Sequence, residues 1–291
     1  MTIRDVAKHL GVSWDMIKDI QKRDLSRRFA KPKLKYLRQI AIDEISIAQG
    51  HRYLTVVLDL DSGAVAFVGD GKGAKALKPF WKRLKGSKAK IEAVALDMSP
   101  AYREAVSTHL PGAQIVFDRF HVMKLFNDKL SDLRRALHRE ATDVMQKKVL
   151  KGTRWLLLKA SEDLDKEKDE KKKLEEALAL NKSLAVAYYL KEDLRQFWEQ
   201  PGKTFATLFL DGWIRRAESS GIKMLQQMAK TLASHRSGLL AYYEVMITSG
   251  PMEGTNNTIK TMKRQAYGFR DKEFFKLKIL AIHETRYELV G

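Results

Sequence analysis

The stretch QIAIDEISIAQGHRYLTVVLDLDSGAVAFVGDG, Gln39–Gly71, decides how the chain is read. It contains three runs, "QIAIDEISIA", "RYLTVVLDLD" and "AVAFVGDG", rich in β-branched residues and broken by "QGH" and "DSG". Apolar residues alternating or running without interruption over such short lengths are the period of strands, and tight polar breaks join antiparallel ones. Three antiparallel strands are therefore expected here.

Outward towards the carboxyl end, a helix is expected from about Ala74 to Leu84. "IEAVALDMS" then reads as a buried strand, "PAYREAVSTHL" as a helix opened by Pro100, and "AQIVFD" as another buried strand. Three strands, helix, strand, helix, strand is the ribonuclease H-like order: an α/β fold with a mixed sheet covered by helices. From Arg119 to about Thr248 the pattern is helical. It includes the charge-dense "EDLDKEKDEKKKLEE", a solvated face or a flexible connection, together with Trp155, Trp198 and Trp213. The final "KEFFKLKILAIHET" has helical spacing and would close the sheet.

Towards the amino end, "TIRDVAKHLGVSWDMIKDIQKRDLSRRF" reads as two short helices around a tight turn. Val6, Ala7 and Leu10 give an apolar face that Val12, Ile17 and Ile20 continue. Gly11 permits the bend, and Ser13 caps the second helix. The spacing of Ala7, Gly11 and Ile17 is that of a helix-turn-helix, a plain helical hairpin being the alternative, and it directs Trp14, Asp15, Lys18 and Lys22 to a groove. The expected division is 1–30 helix-turn-helix, 31–38 basic linker, 39–118 first part of the core, 119–248 helical insertion and 249–291 second part of the core.

Composition limits the function. Fifty-four Lys and Arg against 36 Asp and Glu leave a net charge of +18, a field suited to polyanions, of which nucleic acid is the commonest. The absence of cysteine excludes disulfides and thiolate zinc sites within these 291 residues. No apolar run approaches the ~20 residues of a membrane-spanning helix, and "MTIRDVAKHLGV" is unlike a signal peptide. A soluble, intracellular protein without a membrane partner is expected.

Against this basic background three carboxylates stand out. Asp43 lies inside the first strand, Asp97 ends the fourth, and Glu253 opens the basic helix of "GPMEGTNNTIKTMKRQAYGFR". A charge within an apolar strand is costly unless paired or bound to a cation. The first and fourth strands are neighbours in the ribonuclease H-like order, so Asp43 and Asp97 meet at a sheet edge that Glu253 would complete. Hard oxygen ligands suit Mg²⁺ or Mn²⁺, and two such ions serve phosphodiester chemistry. Lys260, Lys263 and Arg264 would hold the polyanion alongside. Each residue has a simpler alternative. Asp43 could pair with a buried lysine, with Glu44 the ligand; Asp97 could cap the next helix; Glu253 could answer the helix dipole.

"IAIDE", "ALDMSPAY", "VFDRFHVMKLFN" and "GPMEGTNNTIKTMKRQAYGFRDKEFFKLKIL" resemble insertion-sequence transposases of the ISL-three family, a branch of the Asp-Asp-Glu transposases. The resemblance covers about Ile40 to the carboxyl end. It implies that Asp43, Asp97 and Glu253 are the catalytic, metal-binding triad for two Mg²⁺ or Mn²⁺ ions, and that the helical stretch is the family's insertion. It also places Asp118 and His121 in an accessory Asp-x-x-His motif, a core or ion-pair role being the alternative for His121. The implied partners are double-stranded DNA of the transposon ends and of the target, handled by a dimer or larger assembly in a prokaryotic cytoplasm, at the nucleoid. Asn256 and Asn257 either contact DNA or cap their own helix, and Arg270 joins the basic DNA-binding set. Aromatic residues of the insertion, Trp213 among them, are candidates to stack on distorted DNA.

Relatives of this kind carry an amino-terminal cysteine-rich zinc module before the helix-turn-helix, which this sequence lacks. The expected activity is cleavage at an element's end followed by strand transfer. The alternatives are a truncated transposase acting only as a DNA-binding protein, or a ribonuclease H-like nuclease such as a junction resolvase.

Overall fold

A computed structural model describes residues 2–48 and 50–283. Gln49 of the expected first turn, and Glu284 and Thr285 of the expected last helix, lie outside them. The chain divides into two compact units, one made of Met1–Val116 with Ile247–Gly291, the other of Phe117–Met246.

The first unit begins with α1 (Ile3–Leu10) and α2 (Trp14–Phe29). Thr2 and Asp5 form a reciprocal capping box at the start of α1, with the Thr2 Oγ1 accepting from Asp5 N at 3.1 Å and Asp5 Oδ2 from Thr2 N at 3.0 Å. The Thr2 hydroxyl, donating to Asp5 Oδ2 at 2.7 Å, and then the Thr2 N–H hold the Asp5 carboxyl below its ordinary range. Gly11 closes α1 at φ 65°, a left-handed conformation that glycine adopts without strain. Ser13 then caps α2 by accepting from Met16 N. The apolar face differs from expectation: Leu25 and Phe29 are buried, while Ile20 is 50% exposed and Leu10, Trp14 and Met16 are also exposed. The cause is that α2 packs through its carboxyl-terminal half, where Lys22 meets Asp271 and Glu273 at the start of α15, described below.

Five strands follow: β1 (Gln39–Ala48), β2 (Arg52–Asp59), β3 (Val65–Asp70), β4 (Ala93–Leu96) and β5 (Gln114–Phe117). They form a mixed sheet in the order β3-β2-β1-β4-β5, with β1–β2 and β2–β3 antiparallel and β1–β4 parallel. After β3 a short 3-10 turn, Ala74–Leu77, leads into α3 (Lys78–Ser87). Gly69 is required there, because a Cβ would stand 2.4 Å from the Ala76 carbonyl oxygen. Between β4 and β5 runs α4 (Pro100–His109), with proline in its first turn, where the missing N–H costs nothing. Ile40, Val56, Val57, Leu58, Val94, Phe80 and Val106 form a core with no measurable exposure.

The second unit is helical: α5 (Arg119–Glu140), α6 (Val144–Gly152), α7 (Arg154–Leu158), α8 (Glu170–Ala179), α9 (Lys182–Arg195), α10 (Lys203–Ser219), α11 (Lys223–Ser234), α12 (Arg236–Leu240) and α13 (Tyr242–Val245). Trp213 lies in its centre with no exposure, its indole N–H donating to the Leu190 carbonyl at 2.9 Å and its ring edge-on to Phe126. It is core and not available to stack on DNA. Lys191 is also fully buried. Its ammonium donates to the Leu157 and Lys159 carbonyls at 2.8 and 2.7 Å and pairs with Glu192, tying α7 to α9. Burial pushes the Lys191 pKa down, Glu192 opposing.

The chain then returns to the first unit with α14 (Gly250–Gln265) and α15 (Lys272–Leu280). No helix among the described residues is long and apolar enough to cross a membrane.

Candidate active site

β1 and β4 run parallel with Gln39, Ile40 and Ala41 opposite Ala93, Val94 and Ala95. Two places further along the same register, Asp43 falls opposite Asp97, the first residue beyond β4. Neighbouring strands lie ~4.8 Å apart, so the two carboxylates issue from adjacent points of one sheet edge. Side chains alternate between faces, and consecutive Asp43 and Glu44 therefore part company.

Asp43 meets α14. Its Oδ2 accepts from the Asn256 side-chain amide at 2.7 Å, and its Oδ1 accepts from Glu44 N at 2.7 Å. On α14 the buried residues Met252, Thr255, Asn256 and Ile259 form a stripe at spacings of three and four, against β1. That docking carries Glu253, one turn before Asn256, on the exposed face in the helix's first turn. Asn257, Lys260 and Arg264 continue from Glu253 at intervals of four, three and four, so carboxylate, amide and two cations share one outward stripe. Lys263 flanks that stripe, and Arg270 is exposed beyond the turn at Gly268.

Glu44 turns to the other face, towards α4. Tyr102 reaches it from that helix with its hydroxyl 3.2 Å from Glu44 Oε2. The same hydroxyl accepts from Gly73 N at 2.9 Å and lies 3.0 Å from Thr55 Oγ1, which itself donates to the Gly71 carbonyl. Burial raises the Glu44 pKa. Tyr102 opposes that, Asp97 raises it further, Lys72 opposes, and Asp43 adds a smaller rise. The negative charges of Asp97 and Asp43 thus bear on Glu44. Asp97 itself accepts from Ser99 N at 2.9 Å, a turn that leads into α4 rather than a cap on it.

Among the described residues, no three acidic or histidine side chains are gathered closely enough to hold a metal ion. The donor chemistry nevertheless fits a hard divalent cation. Asp43 on β1 and Asp97 just beyond β4 stand at one edge, and beside Asp43 the buried Asn256 Oδ1 has no hydrogen-bond partner among the described residues. An amide oxygen left unsatisfied next to a carboxylate is a group that a cation would satisfy.

Of the other residues singled out from the sequence, Asp118 and His121 belong to the helical unit. Asp118 is buried and its Oδ2 lies 3.0 Å from His121 Nδ1, so the motif forms its own pair at the start of α5. Lys18 is 18% exposed, near Asp15 and Asp19 and over the Trp14 ring. Lys22 is held between Asp271 and Glu273, both at 3.0 Å, which a phosphate would have to displace. Tyr102 lies in the "PAY" that follows Asp97, where nothing local marks it as a partner of Glu44. The Asn256–Asp43 bond, 213 residues apart in sequence, left no local signal.

A family of transposases, the ISL3 type of the Asp-Asp-Glu class, has a model that matches residues 40–279. The chain belongs to the ISL-three family of insertion-sequence transposases. The transposase for insertion sequence element IS1001 of Bordetella parapertussis is 33% identical over 282 residues, 96% of this chain and 69% of that protein. The transposase for element IS1557 of Mycobacterium tuberculosis is 30% identical over 279 residues, 88% of this chain and 62% of that protein. The chain thus spans about two thirds of the length of these relatives. A solved structure, the Drosophila P element transposase strand transfer complex, covers 92% of this chain and 82% of its own at a TM-score of 0.47 and 11% identity. That likeness is too slight to argue from.

Proposed function

We propose that this ISL-three transposase cuts and joins DNA strands through Asp43, Asp97 and Glu253, on a ribonuclease H-like core interrupted by a helical insertion. The observation that carries the reading is the docking of α14 on β1 through the Asn256–Asp43 bond, which brings the helix bearing Glu253 to the edge where Asp43 and Asp97 are neighbours. Asp43, Asp97 and Glu253 would hold Mg²⁺ or Mn²⁺. When bound, such ions supply Lewis-acid stabilisation to the attacking and leaving oxygens of a phosphodiester.

The chain's own residues do the rest. Asn256 fixes the Asp43 carboxylate by a charge-assisted bond of the kind worth about 1.5–3 kcal/mol. Tyr102 steadies Glu44 by donating its hydroxyl to Oε2. Lys260 and Arg264, on the outward stripe of α14 with Lys263 beside it, hold the phosphate backbone, which Asn257 can orient by hydrogen bonding. Cleavage is attack of water on a phosphodiester at the element's end, breaking the P–O bond and releasing a 3′-hydroxyl. In transfer that hydroxyl attacks a target phosphodiester, and a strand ending in 3′-hydroxyl leaves. Helices α1 and α2 present Trp14 and Lys18 to duplex DNA as a helix-turn-helix.

One observation favours a second reading, a chain that binds DNA ends without recombining them: the three carboxylates are not drawn together among the described residues. A gel shift and a strand-cleavage assay on one end fragment separate the two. Asp43→Asn, Asp97→Asn and Glu253→Gln should each reduce Mg²⁺-dependent cleavage by about 10³-fold or more while leaving the shift in place. A wild-type chain that shifts the fragment and never nicks it establishes the binding-only reading.

A further inference from the structure

The helical unit contains a second concentration of charge, opposite in sign to the sheet edge. α5 and α6 enclose a cleft of about 670 Å³ lined by Asp132, Arg134, Arg135, His138, Arg139 and Lys151. Four guanidinium or ammonium groups thus face one carboxylate, and Asp132 is taken up by Arg135. Arg134 is fixed rather than free to swing, because its Nη1 donates to the Leu150 carbonyl at 2.9 Å. Its Nε is buried and has no hydrogen-bond partner among the described residues. Arg154, at the start of α7, stacks on the ring of Trp155 at 4.6 Å, and that indole is 65% exposed.

Burial lowers the Arg134 pKa, with repulsion from Arg154 and Arg135 adding to the effect, so the fold keeps guanidinium groups close at an electrostatic cost. An anion in the cleft would offset the repulsion among these guanidinium groups. Guanidinium and ammonium groups spread along one cleft, with Arg134 held in place among them, suit a chain of phosphodiesters better than one compact anion. We infer that the cleft between α5 and α6 is a second DNA-binding site, gripping the phosphate backbone of duplex DNA without reading its sequence.

The inference rests on the DNA-transposase reading but not on the chemistry of the carboxylates. The test compares the full chain with the double variant Arg139→Gln with Lys151→Gln, both residues being exposed, and with a control, Lys172→Gln with Lys223→Gln, which removes equal charge from exposed positions outside the cleft. Affinity for a short duplex of unrelated sequence is measured by fluorescence anisotropy across a salt series, with thermal melting to confirm folding. The cleft variant should bind roughly tenfold or more weakly at 0.1 M salt. Its slope of log K against log salt should become shallower by about 2, since each phosphate that a cation neutralises adds ~0.9 to it. The control should keep the wild-type slope.

Equal losses in both variants, or none in either, would overturn the inference. So would loss of binding to phosphatidylglycerol vesicles with duplex binding intact, since the cleft would then serve a lipid surface. If the wild type cleaves its end fragment while the cleft variant binds duplex normally, the cleft fails and the transposase reading stands. A wild type that neither binds nor cuts duplex sinks both.

Discussion

At the sheet edge the negative charges of Asp97 and Asp43 bear on Glu44, and in the helical unit the positive charges of Arg154 and Arg135 bear on Arg134. The two crowds are relieved differently. Each carboxylate at the edge has its own donor: the Asn256 amide for Asp43, the Tyr102 hydroxyl for Glu44, the Ser99 N–H for Asp97. In the cleft Arg134 has one carbonyl and a buried Nε with no partner among the described residues. The sheet-edge carboxylates are thus each tied by a donor, whereas the cleft keeps one guanidinium donor without a partner among the described residues. Orientation matters at the first and total charge at the second.

The largest effect should come from breaking the orientation. Residues that act as one unit do not lose activity additively. Asp43→Asn combined with Asp97→Asn should therefore cost cleavage no more than either single change, about 10³-fold or more, in a single-turnover assay on an end fragment. A double variant worse than each single by the product of the two would show that the carboxylates work separately. In the cleft the opposite is expected, because neutralised phosphates add nearly independently to the salt slope.

A smaller effect is expected one layer further out. Asn256→Ala removes the amide that donates to Asp43 Oδ2 and leaves both carboxylates in place. Changes to groups that orient metal ligands cost about 10–100-fold in metal affinity or activity. The Mn²⁺ concentration for half-maximal cleavage should rise on that scale with duplex binding unaltered. Weaker duplex binding with unchanged metal demand would instead make Asn256 a DNA contact.

The same two regions differ in how much of them a linear sequence discloses. An aspartate inside "IAIDE" stands out because the surrounding residues are apolar, and the strand order puts Asp97 beside it. The strand, helix, strand rhythm from Gln39 to Phe117 was legible for the same reason: its period is local. The Asn256–Asp43 bond is not local, and Asn256 in "EGTNN" looks like any polar residue opening a helix. Lys191 was hidden in a charge-rich region where lysine ordinarily means surface, yet it is fully buried on main-chain carbonyls. Trp213 could be read as core or as a stacking surface, and only its zero exposure decides. The exposed Ile20 marks the same limit at the amino end, since period predicts a face but not what covers it. The basic cleft takes residues from two helices, and neither shows it alone.

The smallest effect, and the sharpest on the edge's architecture, concerns Tyr102. Its hydroxyl accepts from Gly73 N and has one proton to share between Glu44 and Thr55. Tyr102→Phe keeps the packing and removes the acceptor of the part-buried Gly73 N–H, so stability should fall by about 1 kcal/mol, the net worth of an ordinary hydrogen bond. The hydroxyl's pKa is pushed up to about 12, first by burial, with Glu44 also raising it against Thr55 and Gly73. The ordinary tyrosine value is near 10, so the folded state favours the protonated form. That contribution is complete below about pH 10 and is lost as pH rises from there towards 12. Tyr188, in the helical unit, is raised to about 12 chiefly by burial and behaves alike. Wild-type melting temperature should therefore decline between pH 10 and 12. Tyr102→Phe should start lower and decline less steeply, leaving the share that belongs to Tyr188 and to Tyr243, which burial also raises. If the two curves run parallel across that range, the Tyr102 proton is not held by the fold and the hydroxyl does not steady Glu44.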